Sequence, residues 1–264
     1  MRIRSSTLVW LFTLALCRTS PADSVDWVLL PHGRPVRLSI ADPREVAMDL
    51  GVQTDGKLGA AIGNYFSLFA VEPPAHDWMI HFGIEGSAFF TLRQESGRFP
   101  LETVDGLIGL YTEGSWGSWQ GQLRYTHISA HLADGSSGTP IAYSREFVTL
   151  KGAYVPDEST QAYVALETLV NSTPSLPALG VDWGGSYFLP WGKLSPFAAV
   201  DMKWRQETVD NPSVSLQLGV ALNRPPESYR SFRIYYAYYT GQDPRGQYYY
   251  RELTTHTIGI EMQI

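Results

Sequence analysis

His127, Ser129 and Glu146 are the residues whose types and spacing could do chemistry in this chain. On an extended strand, residues two apart share a face with Cα atoms about 6.6 Å apart. An imidazole leaning along the strand can then approach the hydroxyl. A weak nucleophile beside a base, with a carboxylate to orient that base, is the logic of a serine hydrolase. His131 lies four positions from His127. At that separation two strand imidazoles do not readily share one ion at about 2.0–2.1 Å, so no metal is expected. No nucleotide, zinc or calcium motif is present, and no cofactor is expected.

The segment carrying His127 alternates. Trp119, Gly121, Leu123, Tyr125, His127 and Ser129 form one face, and Gln120, Gln122, Arg124 and Thr126 the other. Turning Arg124 toward lipid near a membrane midplane would cost about 2–4 kcal/mol. The Trp119 face is therefore the expected lipid face. A strand tilted by about 40° climbs roughly 2.5 Å of membrane per residue. His127 then lies about 20 Å above Trp119, at the outer headgroup level where lipid ester bonds lie. The next strand turns Val148, Leu150 and Tyr154 outward, which puts Glu146 on the same face. A register with Ser129 opposite Glu146 would unite all three. A bulge near His127 would instead turn His127 and Ser129 into the lumen, and polar residues at a headgroup interface need no catalytic reason.

The whole chain supports this frame. It has 264 residues, 17% charged and 13% aromatic, with a formal charge of −6. That charge argues against a non-specific nucleic-acid binder. Arg2 and Arg4 precede an apolar run over 8–16, and Ser20-Pro21-Ala22 offers a cleavage site, so 1–22 reads as a signal peptide. The single cysteine, Cys17, lies within it. Residues 23–44 form a periplasmic pre-barrel segment that can tuck inside, and 45–264 a barrel. The clearest alternating run sets Val214, Leu216, Leu218, Val220 and Leu222 against Ser213, Ser215, Gln217 and Gly219. Charges lie in mid-strand opposite wholly apolar, aromatic-rich faces, which is the signature of an antiparallel transmembrane β-barrel in a bacterial outer membrane. Twelve strands are expected, at 45–53, 58–71, 78–92, 101–113, 117–131, 143–155, 160–170, 178–189, 195–206, 212–222, 230–240 and 252–264. EPPAHD, EGSW, VPDES, LPWGKLS and NRPPES are the expected periplasmic turns.

Alternation turns Glu85, Arg145, Lys151, Asp201, Lys203 and Arg205 into the lumen, with His81, Arg93, Asp105, Arg124, Glu167, Asp182 and Glu261. Both signs are interleaved. This suits a paired network filling the lumen, with a narrow solute channel as the alternative. Tyr235, Tyr236, Tyr238, Tyr239 and Tyr248 to Tyr250 are expected as an outer aromatic girdle and loop lid, or as a platform for a carbohydrate or receptor.

Four segments in order, L38-S-I-A-D-P-R-E45, H127-I-S-A-H131-L-A-D134, Y143-S-R-E146 and Y239-T-G-Q-D-P-R-G-Q247, resemble an uncharacterised family of Gram-negative outer-membrane barrels. The resemblance spans nearly the whole chain after residue 22. It implies the barrel and its location and carries no activity. Separately, R124-Y-T-H-I-S129 resembles the His-x-Ser strand of outer-membrane lipid A deacylases, which implies His127 as base and Ser129 as nucleophile.

Three functions remain open at this point. One is an outer-membrane barrel of undefined activity with a mixed-charge lumen. The second is a lipid A or phospholipid ester hydrolase using His127, Ser129 and Glu146. The third is a narrow solute channel. The expected partners are outer-membrane lipids and the barrel-assembly machinery, and not nucleic acid.

Overall fold

The computed structural model describes residues 26–73, 76–207, 212–222 and 231–263. The expected signal peptide lies outside the described residues. In chain order the strands are β1 (Asp26–Leu29), β2 (Met48–Gln53), β3 (Lys57–Glu72), β4 (Trp78–Arg93), β5 (Leu101–Trp116), β6 (Trp119–Leu132) and β7 (Ser144–Tyr154). They continue as β8 (Thr160–Thr173), β9 (Leu179–Phe188), β10 (Leu194–Arg205), β11 (Ser213–Leu222), β12 (Ser231–Gln242) and β13 (Glu252–Gln263). A short 3-10 turn at Gly246–Tyr248 is the one helical piece among the described residues.

Each strand from β2 to β13 pairs antiparallel with the next, and β13 returns to β2 through Met262↔Met48 to Thr257↔Gln53. The sheet is a closed barrel of twelve strands, which leaves no free edge in lipid. We call the end carrying the start of β2 and the finish of β13 the turn end, and the opposite end the loop end. Large apolar residues cover the outside, among them Ile62, Phe66, Ile108, Leu110, Leu166, Leu218 and Ile258. A belt of exposed aromatics, Trp116, Trp119, Tyr154, Tyr187 and Trp191, rings the turn end, as an interfacial girdle should.

The twelve expected strands correspond to β2 through β13. Most boundaries shift by one to three residues, and two of the shifts bear on the architecture. EGSW is not a turn: β5 runs on to Trp116, which faces Trp119, and the reversal is made by Gly117 and Ser118 with Gly117 at φ 52°. The aromatic pair belongs on the pleated girdle surface, and a glycine accepts the left-handed backbone. The wall also begins at Met48, not at residue 45.

The segment before the wall is luminal. Asp26–Leu29 adds to the turn-end half of β3, pairing with Phe69–Glu72. The chain then leaves the sheet and threads the barrel as far as Ala47. Its apolar side chains pack against the wall on both sides. Ile40 and Ala41 meet Phe188, Phe197, Ala221 and Tyr235, while Val46 meets Tyr65, Leu107 and Tyr111.

Its charges meet wall charges. Arg34 forks onto Glu113, with Nε to Oε1 at 2.9 Å, and Gln122 donates to the same carboxylate at 2.7 Å. Lys203 lies 3.2 Å from Asp42 and 3.2 Å from Asp182. Arg44 pairs with Asp105. The Tyr65 hydroxyl donates to Glu45 at 2.6 Å and accepts from Arg124 at 2.8 Å. Arg124 also reaches Glu85 at 3.2 Å, and Thr126 donates to Glu85 at 2.7 Å. A buried charge is tolerated only with such partners.

Arg124 is the cation that compensates the fully buried Glu85. Arg124→Met is expected to destabilise the folded barrel by about 3 kcal/mol, because it strands a buried carboxylate. Adding Glu85→Gln should recover most of that loss. Urea unfolding of wild type, Arg124→Met and the double variant in lipid vesicles measures both effects.

Candidate functional site

The register of β6 on β7 sets the outward patch. His127 faces Glu146, and Ser129 faces Ser144, so the expected pairing of Ser129 with Glu146 does not occur. The strands run without a bulge between them here, which fixes the offset. His127, Ser129 and Glu146 nonetheless lie on one face. Inward neighbours on β6 and β7 are Thr126, Ala130, Arg145 and Phe147, all buried, while Leu123, Tyr125 and Leu150 project outward.

His127 Nδ1 lies 3.4 Å from Glu146 Oε1, with both side chains about one-third exposed, 39% and 31%. That contact leaves Nε2 free to face elsewhere. The Tyr125 hydroxyl lies close to the same carboxylate. Asn171 of β8 stands opposite Glu146 on its other side. Sequence reasoning missed Tyr125 and Asn171 because only the three-strand register brings them to Glu146. Ser129 makes no hydrogen bond to His127 among the described residues. The patch is near the loop end of β6 and β7, the end away from the Trp119 belt.

The patch can position an imidazole against a carboxylate and hold a hydroxyl one pleat away on the same face. No group of three or more metal-ligating side chains stands together among the described residues.

The lumen collects a different set. Glu85, Arg145, Lys151 and Asp201 are buried inside the barrel, and Lys203 and Arg205 are half-buried there. Lys151 donates to the Arg37 carbonyl at 3.1 Å and to Ser39 Oγ at 2.8 Å. Arg145 meets Glu207 at 2.5 Å, Arg205 meets Glu167 at 3.6 Å, and Tyr163 donates to Asp201 at 2.5 Å. Every one of the six therefore has a partner.

Toward the loop end the space left beside this network falls to cavities of about 60 Å³ and 160 Å³. The loop after β12 closes over them. Gly246 N donates to Asp105 at 2.9 Å, and Gln247 donates to the carbonyls of Ala130 at 2.6 Å and Ile141 at 2.9 Å. A Cβ at Gly246 would stand 2.6 Å from that of Ala130, so only glycine lets the loop sit this deep. Asp105 thus joins Arg44 of the threaded segment to the loop that covers it.

The tyrosine concentration divides. Tyr235 and Tyr239 are buried in the lumen, Tyr235 donating to Asp49 at 2.6 Å. Tyr236 and Tyr238 face outward against His256, with ring centroids at 5.9 Å and 5.2 Å. Strict alternation accounts for the split, so the run is half girdle and half core.

A closed, outward-apolar, internally charged barrel of twelve antiparallel strands defines an outer-membrane-type β-barrel protein. Within that class the chain belongs to the family described as a protein of unknown function (DUF1207), whose model matches residues 17–263. No curated protein matches it.

Among solved structures it is similar to outer membrane phospholipase A from Escherichia coli, at 12% identity and TM-score 0.53 over 88% of this chain and 92% of that one. An active-site variant of the same phospholipase gives 13% identity and TM-score 0.51 over the same shares. OmpT, an outer membrane protein of Vibrio cholerae, is similar at 11% identity and TM-score 0.34 over 94% and 99%. At 12–13% identity the likeness to the phospholipase concerns the fold alone.

The facing of Ser129 can be read directly. A nitroxide on Ser129→Cys is expected to relax faster with oxygen, which partitions into lipid, than one on Thr126→Cys. Equal accessibility at the two positions would contradict the outward patch.

Proposed function

We propose that this protein resides in the outer membrane and hydrolyses an ester of the surrounding lipid at the patch formed by His127, Ser129 and Glu146. The observation that carries this reading is the 3.4 Å contact of His127 Nδ1 with Glu146, on the outward face and one pleat from Ser129. A carboxylate on Nδ1 holds the ring so that Nε2 serves as the base. Rotation of the His127 ring toward Ser129 then completes the pair, and such contacts often tighten only when substrate is bound.

The steps balance without a cofactor. Ser129 Oγ attacks the ester carbonyl carbon while His127 Nε2 takes its proton. The bond to the alkoxy oxygen breaks, and the leaving alcohol receives that proton. Water, deprotonated by His127, then attacks the acyl-serine carbonyl; the bond to Ser129 Oγ breaks, His127 returns the proton to Oγ, and the fatty acid leaves. Glu146 touches no reacting atom and positions His127.

Two further points favour this reading over a solute channel. Residues 31–47 and their wall partners occupy the lumen, whereas the patch meets lipid directly. The phospholipase of similar fold shows that a barrel of this architecture accommodates lipid hydrolysis in another protein.

Outer membranes holding equal amounts of wild type and Ser129→Ala test it by lipid mass spectrometry of lipid A and phospholipids. Wild type is expected to deplete one acyl chain, and Ser129→Ala to lower that rate at least about a thousandfold. Glu146→Gln is expected to lower kcat about a hundredfold with KM little changed. Identical lipid profiles for wild type and Ser129→Ala would reject the hydrolase.

A further inference from the structure

The outward patch differs on its two flanks. Neighbouring strands lie about 4.8 Å apart, so Ser129 has one row of residues close by on each side. Toward β5, Gly106 faces Ser129, Val104 faces His131 and Ile108 faces His127. Ala88 of β4 faces Gly106 in turn, and Phe90 faces Val104. None of these β4 and β5 residues has a polar side chain. Toward β7, Ser144 faces Ser129 and Glu146 faces His127. Thr173 and Asn171 of β8 stand beyond them, opposite Ser144 and Glu146. Each residue of this second flank carries a side-chain oxygen, and one is a carboxylate.

A lipid ester is divided in the same way. Its acyl carbon bears a hydrocarbon chain, and its alcohol oxygen leads to the polar part of the molecule. A headgroup laid over Val104 and Ile108 would find no hydrogen-bonding side chain there. A chain laid over Glu146 and Asn171 would strip those groups of polar surroundings. One orientation across Ser129 avoids both costs, with the acyl chain on the β5 flank and the headgroup on the β7 flank.

Gly106 fits that orientation. Its neighbours Asp105 and Leu107 point inward and are buried, so position 106 opens on the outside. A Cβ there would meet only Ser129 Oγ, at 3.8 Å, which is ordinary contact. The ladders to β4 and β6 run without a bulge at this point, and the φ of Gly106 is not positive. Neither backbone geometry nor packing therefore calls for glycine. A strand glycine otherwise marks the close approach of a ligand or another backbone. No backbone atom of another strand comes within 4 Å of that Cβ position. What glycine provides here is an open approach to the Ser129 hydroxyl from the apolar flank.

Charge narrows the lipid. Between Ala133 and Ala178 the only basic side chains are Arg145 and Lys151, and both are buried in the lumen. The headgroup flank thus offers Glu146 and no cation. Phosphate groups without a counter-charge of their own, as in lipid A, call for Arg or Lys. A headgroup that carries its own ammonium does not.

We infer, on the basis of the ester-hydrolase reading, that the substrate is a glycerophospholipid with an ammonium-bearing, net-neutral headgroup. Its scissile acyl chain lies over Gly106 and Ala88, and its headgroup lies over Ser144 and Thr173. Gly106 is the position that admits the chain and takes no part in proton transfer.

The full barrel is reconstituted in vesicles of ether-linked phosphatidylcholine, which holds no ester. The vesicles contain phosphatidylethanolamine, phosphatidylglycerol or lipid A, and released fatty acid is measured by mass spectrometry. Wild type is expected to cleave phosphatidylethanolamine at least about tenfold faster than phosphatidylglycerol, with lipid A at the Ser129→Ala background. Gly106→Leu should lower the phosphatidylethanolamine rate about a hundredfold. Gly152→Leu, at an outward glycine with nothing within 4 Å of its Cβ position, should leave the rate unchanged. Thr173→Lys should raise the rate on phosphatidylglycerol relative to phosphatidylethanolamine about fivefold, a change that a loss of folding would not produce.

Release no greater from wild type than from Ser129→Ala, with every lipid, would reject the hydrolase and this inference with it. Phosphatidylglycerol or lipid A cleaved as fast as phosphatidylethanolamine would leave the hydrolase standing and overturn the substrate assignment. Cleavage at the wild-type rate by Gly106→Leu, folded by heat-modifiable gel mobility, would overturn the acyl seat in the same way.

Discussion

Every backbone N–H and C=O that meets hydrocarbon needs a partner within the protein, and this requirement shapes the whole molecule. Closure of β13 on β2 meets it around most of the wall. The closing strand β2 is short, however, only six residues against sixteen in β3. The chain before it goes inside the barrel, and β1 pairs with the turn-end part of β3. Sending residues 31–47 through the lumen and not down the wall creates the filled interior.

The filled interior follows from charge. A barrel whose strands carry Glu85, Glu113, Asp105, Asp182 and Asp201 inward must provide each with a counter-charge or a donor. The wall supplies Arg124, Lys203 and Tyr163, and the threaded segment supplies Arg34 and Arg44. The segment also brings carboxylates. Glu45 accepts from Tyr65 and from the Ser39 and Val46 amides, at 2.6, 2.8 and 3.1 Å. Asp42 joins Asp182 on Lys203. Wall and segment are thus mutually incomplete. The A41-D-P-R44 turn and the Q242-D-P-R-G-Q247 loop converge on Asp105, from the segment and from above.

Much of this was legible in the sequence, because alternation reports faces. The count of twelve wall strands, the inward Glu85, Arg145, Lys151 and Asp201, and the shared face of His127, Ser129 and Glu146 all follow from period two. What alternation cannot give is register. The hairpin offset puts His127, not Ser129, across from Glu146, because that offset is set by how deep the 133–143 loop lets β7 begin. Alternation was also silent on residues 30–47. That stretch has no period, since its partners come from widely separated strands: Glu113 of β5, Lys151 of β7, Lys203 of β10 and Arg233 of β12. The paired Tyr235 and Tyr236 show the same limit from the other side. Composition alone grouped them as a girdle, and only their neighbours separate core from surface.

The position of the outward patch follows from the same physics. A luminal histidine and serine would be drawn into the network of ion pairs, as His81 is by Ser67 at 3.2 Å and Glu72 at 3.1 Å. On the outside, few polar groups compete. His127 there meets Glu146, with Tyr125 and Asn171 as the carboxylate's other polar neighbours. Leu123 and Leu150 below them are apolar and exposed. A polar cluster set in such a surface is costly in mid-bilayer and tolerable only near a headgroup boundary. The level that makes the cluster tolerable is also the level at which a lipid presents its ester carbonyls, so the placement of these residues and the chemistry proposed for them rest on one constraint.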